Sequence, residues 1–272
     1  MSIPIAEDLE GKVAIVTGAG SRPGEGVGNG RAAAILLARA GAHVVLADAV
    51  PEWAEDTRRM IAEAGGAESV VVAADVTRPA DCAHIVETAT ARWGRLDALV
   101  NNVGIGGAPG DAEHADLEEW NDGLLVNVTS MMLMAKYAVP AMRRTGGGAI
   151  VNIASVAGLR GGHPDLLYPT SKGAVVNMTR AMAVHHAKDR IRVNCVCPGM
   201  VYTPMVQQGG MTPERREARK NRSILKVEGS GWDVGAAVAF LCGGLSRWMT
   251  GAIVPVDAGA TAVVTLAEAY RS

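Results

Sequence analysis

The sequence predicts an α/β fold in which helices cover both faces of a parallel sheet of about seven strands. Short β-branched apolar runs alternate with longer Ala- and Leu-rich stretches along the 272 residues. Several of the short runs are almost continuously apolar, as expected for parallel strands that are buried on both faces. Strand–helix alternation with right-handed crossovers gives a doubly wound sheet. No linker interrupts this pattern, so we expect a single domain over residues 1–272.

The predicted elements follow directly from these runs. Strands are predicted at residues 12–17, 43–48, 69–75, 98–101, 149–153, 192–196 and 252–256. Helices are predicted between them at residues 31–40, 51–64, 79–92, 118–144, 169–187 and 232–241. Pro51 and Pro79 suit the first turn of a helix, where a missing N–H has no cost.

Composition excludes several classes of function. The net charge of −2 and the pI of about 6.3 give no basic field, so no nucleic-acid partner is expected. Residues 1–10 lack the basic start of a secretory signal, and no apolar run approaches the ~18 residues of a membrane span. The four cysteines lack metal-ligand spacing. We therefore expect a soluble, cytoplasmic protein without a metal or a membrane partner.

A glycine-rich loop, residues 18–30, lies between the first strand and the first helix. Glycine lets the chain turn sharply and lets backbone N–H groups approach a pyrophosphate, and the following helix N-terminus adds partial positive charge. This position indicates a dinucleotide site rather than a merely flexible loop. The predicted contacts are made by Gly18, Ser21, Gly28, Asn29 and Gly30.

Asp48 ends the second strand, about 30 residues after the start of that loop. A carboxylate at this place accepts hydrogen bonds from an adenosine ribose and repels a 2′-phosphate, which favours NAD (NADH) over NADP. The alternative is an Asp that only caps the next helix. Arg22 offers a counter-charge for a 2′-phosphate and is the main argument against NAD.

The motifs of the chain resemble those of the short-chain dehydrogenase/reductase family nearly from end to end. The matching segments are Thr17-Gly18, Asp75-Val76, Asn101-Asn102-Val103-Gly104, Pro198-Gly199, Thr250-Gly251 and Val256-Asp257-Ala258-Gly259. The resemblance implies a Rossmann-type fold and an oxidoreductase, with a homotetramer or homodimer as the expected assembly.

The same resemblance assigns further cofactor contacts. It places the adenine at Asp75 and Val76. It also assigns cofactor contacts to Asn102 and Gly104, in the loop after the fourth strand. It places the nicotinamide carboxamide near the residues that follow the sixth strand, which are Pro198, Gly199, Val201 and Thr203.

One departure from the family pattern lies in the glycine-rich loop. Arg22 stands where the family has a glycine, and counting back from Gly41 aligns the last two family glycines with Gly28 and Gly30. About six extra residues, 22–27, are thereby inserted. We expect the fold to accept them at the surface.

Four residues form the predicted catalytic set. Tyr168 and Lys172 are four apart at the start of a helix and so share one face. A nearby ammonium lowers the pKa of a phenol, and Lys172 also has the reach to bind the nicotinamide ribose. Ser155 is expected to stabilise charge on the substrate oxygen, and Asn127 to hold a water for proton relay. The family carries the same Asn, Ser, Tyr and Lys, so Tyr168 and Lys172 are assigned to cofactor binding as well.

A lid over the substrate is predicted around residues 200–231. Met200, Tyr202 and Met205 suggest an apolar lining, and His163 is placed near the substrate entrance, with a surface role as the alternative. Five cationic residues in the lid are Arg215, Arg216, Arg219, Lys220 and Arg222. They are interpreted as a solvated helix face in preference to a clamp for an anionic substrate.

Together these patterns predict an NAD-dependent enzyme that moves a hydride between nicotinamide and a secondary alcohol or ketone, with Tyr168 as general acid and base. The expected substrate is a small apolar or cyclic molecule. The alternatives are an NADP-dependent ketoreductase, including one that acts on an acyl carrier, and a non-catalytic dinucleotide-binding sensor.

Overall fold

Seven parallel strands form one sheet in the computed structural model, which describes residues 9–207 and 210–263. The order across the sheet is β3-β2-β1-β4-β5-β6-β9. The strands are β1 Val13–Thr17, β2 His43–Asp48, β3 Ser69–Ala73, β4 Ala98–Asn101, β5 Gly148–Ile153, β6 Ile191–Pro198 and β9 Ile253–Val256. This confirms the predicted fold class and strand number. The prediction that residues 1–10 lack a secretory signal concerns residues that lie mostly outside the described ranges.

The strand order reverses between β1 and β4, and this reversal locates the ligand crevice. The chain moves outward from β1 through β2 to β3, and then returns to the other side of β1 with β4. Because consecutive connections leave in opposite directions, the loops after β1 and β4 diverge and open a crevice at their carboxyl ends. Val16 is paired with Leu46 on one side and with Val100 on the other, which fixes both loops at the same edge.

Helices cover both faces of the sheet and divide the core in two. The larger helices are α1 Asn29–Arg39, α2 Pro51–Glu63, α3 Pro79–Trp93, α5 Ser130–Arg144, α6 Leu167–His186 and α9 Gly231–Cys242. Residues of α1 and α9 pack in one apolar cluster, and residues of α3 and α5 pack in the other. Strand side chains such as Val13 and Ala14 enter opposite clusters, so each strand is buried on both faces.

The predicted helix over residues 118–144 is interrupted. The segment consists of α4 Leu117–Leu124, a π-helical turn Leu125–Thr129 and then α5. The interruption places Asn127 in the π turn, where its side chain bonds another segment of the backbone. By length and composition Leu117–Arg144 could cross a membrane, but half of its most apolar window is buried inside the protein. That burial is typical of a core helix.

Apart from the helix that carries most of the cationic residues, the predicted lid contains short elements that the sequence pattern did not reveal. They are β7 Val201–Tyr202, α7 Pro204–Gln207 and β8 Gly229–Ser230, and the helix is α8 Pro213–Lys220. β7 and β8 pair in parallel as a separate two-stranded sheet. Elements of two to four residues are too short for a periodic signal, so the sequence predicted a connection here.

Candidate active site

A cavity of about 1410 Å³ lies at the carboxyl edge of the sheet. Most predicted site residues are on its wall: Gly18, Ser21, Gly28, Asn29, Gly30, Asp48, Asp75, Val76, Asn102, Gly104, Ser155, His163, Tyr168, Lys172, Pro198, Gly199, Met200, Val201, Thr203 and Met205. Asn127 and Tyr202 are not among the lining residues. The structure therefore brings the loop after β1 and the Tyr–Lys pair to one space.

The loop after β1 approaches the start of α1 more closely than any residue with a side chain would allow. Gly18 has φ of +62°, which glycine adopts without strain. A Cβ on Gly30 would collide with the carbonyl oxygen of Gly18 and stand 2.5 Å from Nδ2 of Asn102. Glycine at position 30 is therefore a steric requirement of the cavity floor.

Asn102 links the loops after β1 and β4. Its Nδ2 donates to the carbonyl oxygens of Thr17 at 3.2 Å and Gly18 at 3.0 Å, and its backbone N–H donates to Oγ1 of Thr17 at 3.1 Å. Thr17 in turn donates from Oγ1 to the Val100 carbonyl at 3.2 Å. Asn102 thus shapes the crevice by holding the backbone of the glycine-rich loop.

Asp48 lies on the wall with both carboxylate oxygens held by backbone. Oδ2 accepts from the Gly20 N–H at 2.8 Å, and Oδ1 accepts from the Val50 N–H at 2.9 Å. Each oxygen keeps a further lone pair for a ligand hydroxyl. A Cβ on Gly20 would stand 2.8 Å from Oδ2, so this glycine permits the close approach. Asp48 thus lies on the cavity wall, where the predicted ribose contact requires it, and it bonds the backbone just before α2 without capping that helix.

Arg22 and Trp53 form one side of the cavity near Asp48. The guanidinium carbon of Arg22 lies 5.8 Å from the centroid of the Trp53 ring, and both residues line the wall. Arg31 fixes the underlying backbone by donating from Nη2 to the Trp53 carbonyl at 2.9 Å and from Nε to Oγ1 of Thr57 at 2.9 Å. Trp53 and Arg31 belong to no motif or spacing pattern, so neither was predicted as a site residue.

The inserted residues 22–27 extend from the glycine-rich loop to the lid. The Glu25 N–H donates to Oε1 of Gln207 at 3.0 Å. The carboxylate of Glu25 lies 3.3 Å from Nη1 of Arg216, which also pairs with Glu228 at 2.6 Å. The ring of Tyr202 lies beneath the Arg216 guanidinium at 3.9 Å, which explains why Tyr202 is absent from the cavity wall.

One observation besides the glycine geometry indicates that these residues fit a dinucleotide. Asn29 is the first residue of α1 and lines the cavity, and its Oδ1 is buried without a hydrogen-bond partner among the described residues. The N–H groups of the first helical turn also lack partners within the helix. A phosphate and its neighbouring hydroxyls would supply what these groups require.

Tyr168, Lys172 and Ser155 meet at the other end of the cavity. Ser155 lies close enough to Tyr168 for its side chain to affect the pKa of the phenol. The ammonium of Lys172 lies 5.7 Å from the Tyr168 ring centroid and donates to the Ile153 carbonyl at 3.2 Å. Ser155 also caps a 3₁₀ turn, Val156–Gly158, by accepting from the Ala157 N–H at 3.1 Å. The serine is thereby fixed at the end of β5.

Burial shifts the pKa of both titrating members of this group. Burial raises the pKa of Tyr168, and the hydrogen bond to Ser155 opposes that rise. Burial lowers the pKa of Lys172 to about 8, although the nearby thiols of Cys195 and Cys197 act in the opposite direction. The expected lowering of the tyrosine pKa by the ammonium is therefore not the net outcome, since desolvation dominates.

Asn127 is completely buried in the π turn, and its side chain forms hydrogen bonds with the backbone of Ile105. Its Nδ2 donates to the Ile105 carbonyl at 2.9 Å and to Oγ of Ser171 at 3.0 Å, while Oδ1 accepts from the Ile105 N–H at 2.7 Å. Both amide hydrogens are used, and Oδ1 keeps one further lone pair. Asn127 fixes the loop after β4 to α6, and its role in holding a water stays a prediction.

His163 lies beside Tyr168. The two rings are tilted with centroids 5.0 Å apart. Nδ1 of His163 lies 3.1 Å from the backbone nitrogen and 3.2 Å from the carbonyl oxygen of Asp165. Arg160, Arg219 and Arg222 also line the cavity. Arg160 was not predicted as a site residue, because it lies in a loop without a spacing signal.

No three His, Cys, Asp or Glu side chains of residues 9–207 and 210–263 come together as a metal site. Cys195 and Cys197 face the same side of β6, with sulfur atoms 3.8 Å apart. Both thiols are buried and pack in an apolar cluster with Val175.

Comparisons with known proteins agree with this geometry. A family model described as enoyl-(acyl carrier protein) reductase matches residues 25–261. A cis-4-hydroxycyclohexanecarboxylate dehydrogenase of Sinomonas cyclohexanicum is 36% identical over 259 residues, which cover 95% of this chain and 100% of the relative.

Two solved structures superimpose closely. One is a Burkholderia xenovorans protein assigned as a short-chain dehydrogenase/reductase, with a TM-score of 0.89, 39% identity and coverage of 96% of this chain and 100% of that one. The other is a 7α-hydroxysteroid dehydrogenase complexed with NADH and a 7-oxo bile acid, with a TM-score of 0.86, 29% identity and coverage of 95% and 98%. On fold, site geometry and sequence together, the chain belongs to the short-chain dehydrogenase/reductase family.

Proposed function

We propose that this oxidoreductase interconverts a secondary alcohol and its ketone with NAD as the hydride carrier. The observation that carries the proposal is the joint placement of Tyr168, Ser155 and Lys172 on the wall of a cavity whose opposite end is the glycine-rich loop and Asp48. A proton donor and a nucleotide site in one crevice are the two requirements of this chemistry.

Tyr168 acts as the general acid and base. In ketone reduction its hydroxyl donates a proton to the carbonyl oxygen, and in alcohol oxidation the phenolate accepts the hydroxyl proton. Ser155 donates a hydrogen bond to the same substrate oxygen and stabilises the charge that develops there. Lys172 orients the cofactor through its ribose and supplies positive charge near the phenol. When bound, the nicotinamide supplies or accepts the hydride.

Asp48 supports the choice of NAD over NADP. Its two oxygens are fixed by the N–H groups of Gly20 and Val50, so the carboxylate cannot swing away from a 2′-phosphate without losing both bonds. Arg22 lies on Trp53 at the same end and supports the NADP-dependent ketoreductase as the second candidate. Kinetics with NADH and NADPH at equal concentrations decide between them, and better turnover with NADPH would refute the choice of NAD.

The substrate is proposed to be small, with an apolar or cyclic body. The relative from Sinomonas cyclohexanicum carries the name of a cyclic secondary alcohol, and the bile-acid complex carries that of a larger ring system. Met200 and Met205 line the cavity at the lid and provide adaptable apolar contacts. We keep residues 200–231 as the lid of a single domain over residues 1–272.

We further propose a cytoplasmic homotetramer or homodimer. Several large apolar side chains are exposed on the helices and on the segment before β9: Leu117, Met132, Val184, Phe240 and Trp248, the last 91% exposed. Large exposed apolar side chains of this kind support subunit contacts through these helices. Light scattering at micromolar concentration tests the assembly.

A Tyr168→Phe variant tests the proposed function. We expect turnover to fall by about 10²–10⁴-fold, because the proton donor is removed while the ring remains. NADH affinity, measured by fluorescence titration, is expected to stay within a few fold. An unchanged rate would refute the catalytic role, and cofactor binding without turnover by the native chain would favour the sensor.

A further inference from the structure

Three arginines line the cavity beside the catalytic group. Arg219 and Arg222 come from α8 and the residues after it, and Arg160 comes from the loop after β5. The loop of Arg160 continues directly to His163, whose ring lies against Tyr168. The cavity wall therefore carries guanidinium groups from two separate segments, and one of these segments also carries His163.

Backbone contacts hold two of these arginines at the wall. Arg219 donates from Nη2 to the Val201 carbonyl at 3.2 Å, and Arg160 donates from Nη1 to the Ala260 carbonyl at 2.6 Å. Two residues after Arg222, Ile224 packs so tightly on Gly259 that a Cβ there would collide with its side chain. Arg160 is thus tied to the segment after β9 and Arg219 to β7, while the backbone near Arg222 packs on the segment after β9.

Their charge is poorly compensated compared with that of their neighbours. In the same lid, Arg216 pairs with Glu25 and Glu228, and Lys220 pairs with Glu217. No carboxylate of the described residues forms an ion pair with Arg160, Arg219 or Arg222. Burial and the charge of Arg222 both lower the pKa of Arg219, and Glu228 offsets this only in part.

Carboxylates on the cavity wall are located elsewhere. Among the described residues, the acidic side chains that line it are Asp48, Asp75 and Asp165. Asp48 and Asp75 belong to the end where the adenosine is expected. Asp165 is engaged by the Gly110 N–H at 3.1 Å and lies 3.9 Å from His163. An external anion would complete the arginine wall.

We propose that the substrate carries an anionic oxygen group, such as a carboxylate, and that Arg160, Arg219 and Arg222 bind it. The substrate class is then a hydroxy acid or keto acid in which an apolar or cyclic spacer separates the carboxylate from the reacting carbon. This inference rests on the proposed function and adds the substrate class to it. The cavity gives the anion a fixed place, which directs one face of the carbinol carbon to Tyr168.

The experiment compares matched substrates that differ only in the anion. The native enzyme is assayed with a hydroxycyclohexane carboxylate and with its methyl ester, and the ratio of the two kcat/KM values is the measured quantity. We expect the ratio to favour the carboxylate, and to fall about 10- to 100-fold in Arg160→Gln and Arg222→Gln, mainly through KM. The control is Arg215→Gln, because Arg215 is exposed on α8, which also carries Arg219, and is not among the lining residues.

Two outcomes would overturn the inference. One is a ratio in Arg160→Gln and Arg222→Gln equal to that of the native enzyme. The other is an equal loss with both substrates that tracks a loss of NADH affinity, which would assign the arginines to the cofactor pyrophosphate. Direct titration of NADH into each variant separates that case.

A failure of the proposed function gives a different pattern. If the native protein oxidises no secondary alcohol and reduces no ketone, equilibrium binding of cyclohexanecarboxylate is measured by calorimetry. If binding weakens in the two arginine variants but not in Arg215→Gln, the proposed anion site is supported although the proposed enzyme activity is refuted. If binding is absent, or equal in all variants, the anion site is refuted as well.

Discussion

Lys172 and Gly104 are packed so closely that a Cβ on Gly104 would stand 2.9 Å from the ammonium nitrogen and 3.3 Å from Oδ1 of Asn127. The backbone after β4 therefore sets the position of the lysine. Asn127 holds this backbone through Ile105, so the three residues form one arrangement that places the ammonium below Tyr168.

Gly104→Ala should displace Lys172 and lower kcat about 10- to 100-fold, since displacements of about 1 Å at a catalytic group have effects of this size. Far-ultraviolet circular dichroism should remain native. Gly106→Ala is the matched control, because a Cβ there meets nothing within 4 Å. Equal loss in both variants would contradict the packing argument.

The two reaction directions should have different pH profiles. Burial raises the pKa of Tyr168, so the protonated acid needed for reduction persists through neutral pH. Oxidation requires the phenolate and should accelerate as the pH rises above neutrality. Initial rates of both directions between pH 6 and 10 test this, and a shared optimum near pH 6 would be inconsistent with it.

Lys172→Met should abolish activity and stabilise the fold at pH 7. The lowered pKa means that the folded chain disfavours the ammonium, a cost that is full below about pH 8 and fades as the pH rises towards 10.5. At 1.36 kcal/mol per pKa unit the cost is about 3 kcal/mol, and the lost bond to the Ile153 carbonyl offsets about 1 kcal/mol.

Urea denaturation at pH 7 and pH 10 measures this effect. The stabilisation should be about 2 kcal/mol at pH 7 and should shrink towards pH 10. Lys136→Met, at an exposed position of α5, should change the free energy of unfolding little at either pH. A less stable Lys172→Met at pH 7 would show that the ammonium is better compensated than its burial indicates.

Asp48→Asn should shift cofactor preference towards NADPH. The amide removes the negative charge that repels a 2′-phosphate, while its oxygen still accepts one of the two backbone N–H bonds. We expect the NADH to NADPH ratio of kcat/KM to fall about 10-fold or more, the size of a lost charged hydrogen bond. Glu55→Gln, which affects only an exposed pair with Arg58, should leave the ratio unchanged.

Arg216→Gln should loosen a loop that is almost 200 residues away in sequence. The substitution removes the pairing of α8 with Glu25, so amide hydrogen exchange over residues 22–27 should accelerate together with that of residues 201–220. Arg215→Gln alters the preceding residue, which donates to the Gly210 carbonyl, and should leave residues 22–27 as protected as in the native protein. Faster exchange confined to α8 would refute the link.

Motifs with a fixed spacing predicted the sheet and most of the site. Continuous apolar runs located all seven strands, and Ser155, Tyr168 and Lys172 are close together because β5 and α6 deliver them to one edge. The role of Asn127 depends on a π turn, and nothing in an apolar helical pattern shows where such a turn occurs.

Tertiary partners also escaped the sequence pattern. Tyr202 was expected at the substrate, but its ring packs under Arg216, a partner brought near by the fold of the lid. The cationic lid residues were interpreted as one solvated face. The structure divides them into paired groups such as Arg216 and lining groups such as Arg219 and Arg222. Sequence spacing on an eight-residue helix does not make that distinction.

The contact between residues 22–27 and the lid has a consequence for loop exchange among relatives. A chain with the shorter glycine-rich loop would lack the backbone N–H that Gln207 accepts and one of the carboxylates that pair with Arg216. Grafting the common loop alone would leave Arg216 with Glu228 as its remaining carboxylate partner and would free Gln207 from the loop. Loop and lid therefore form one transferable module, and chimaeras should exchange the two segments together.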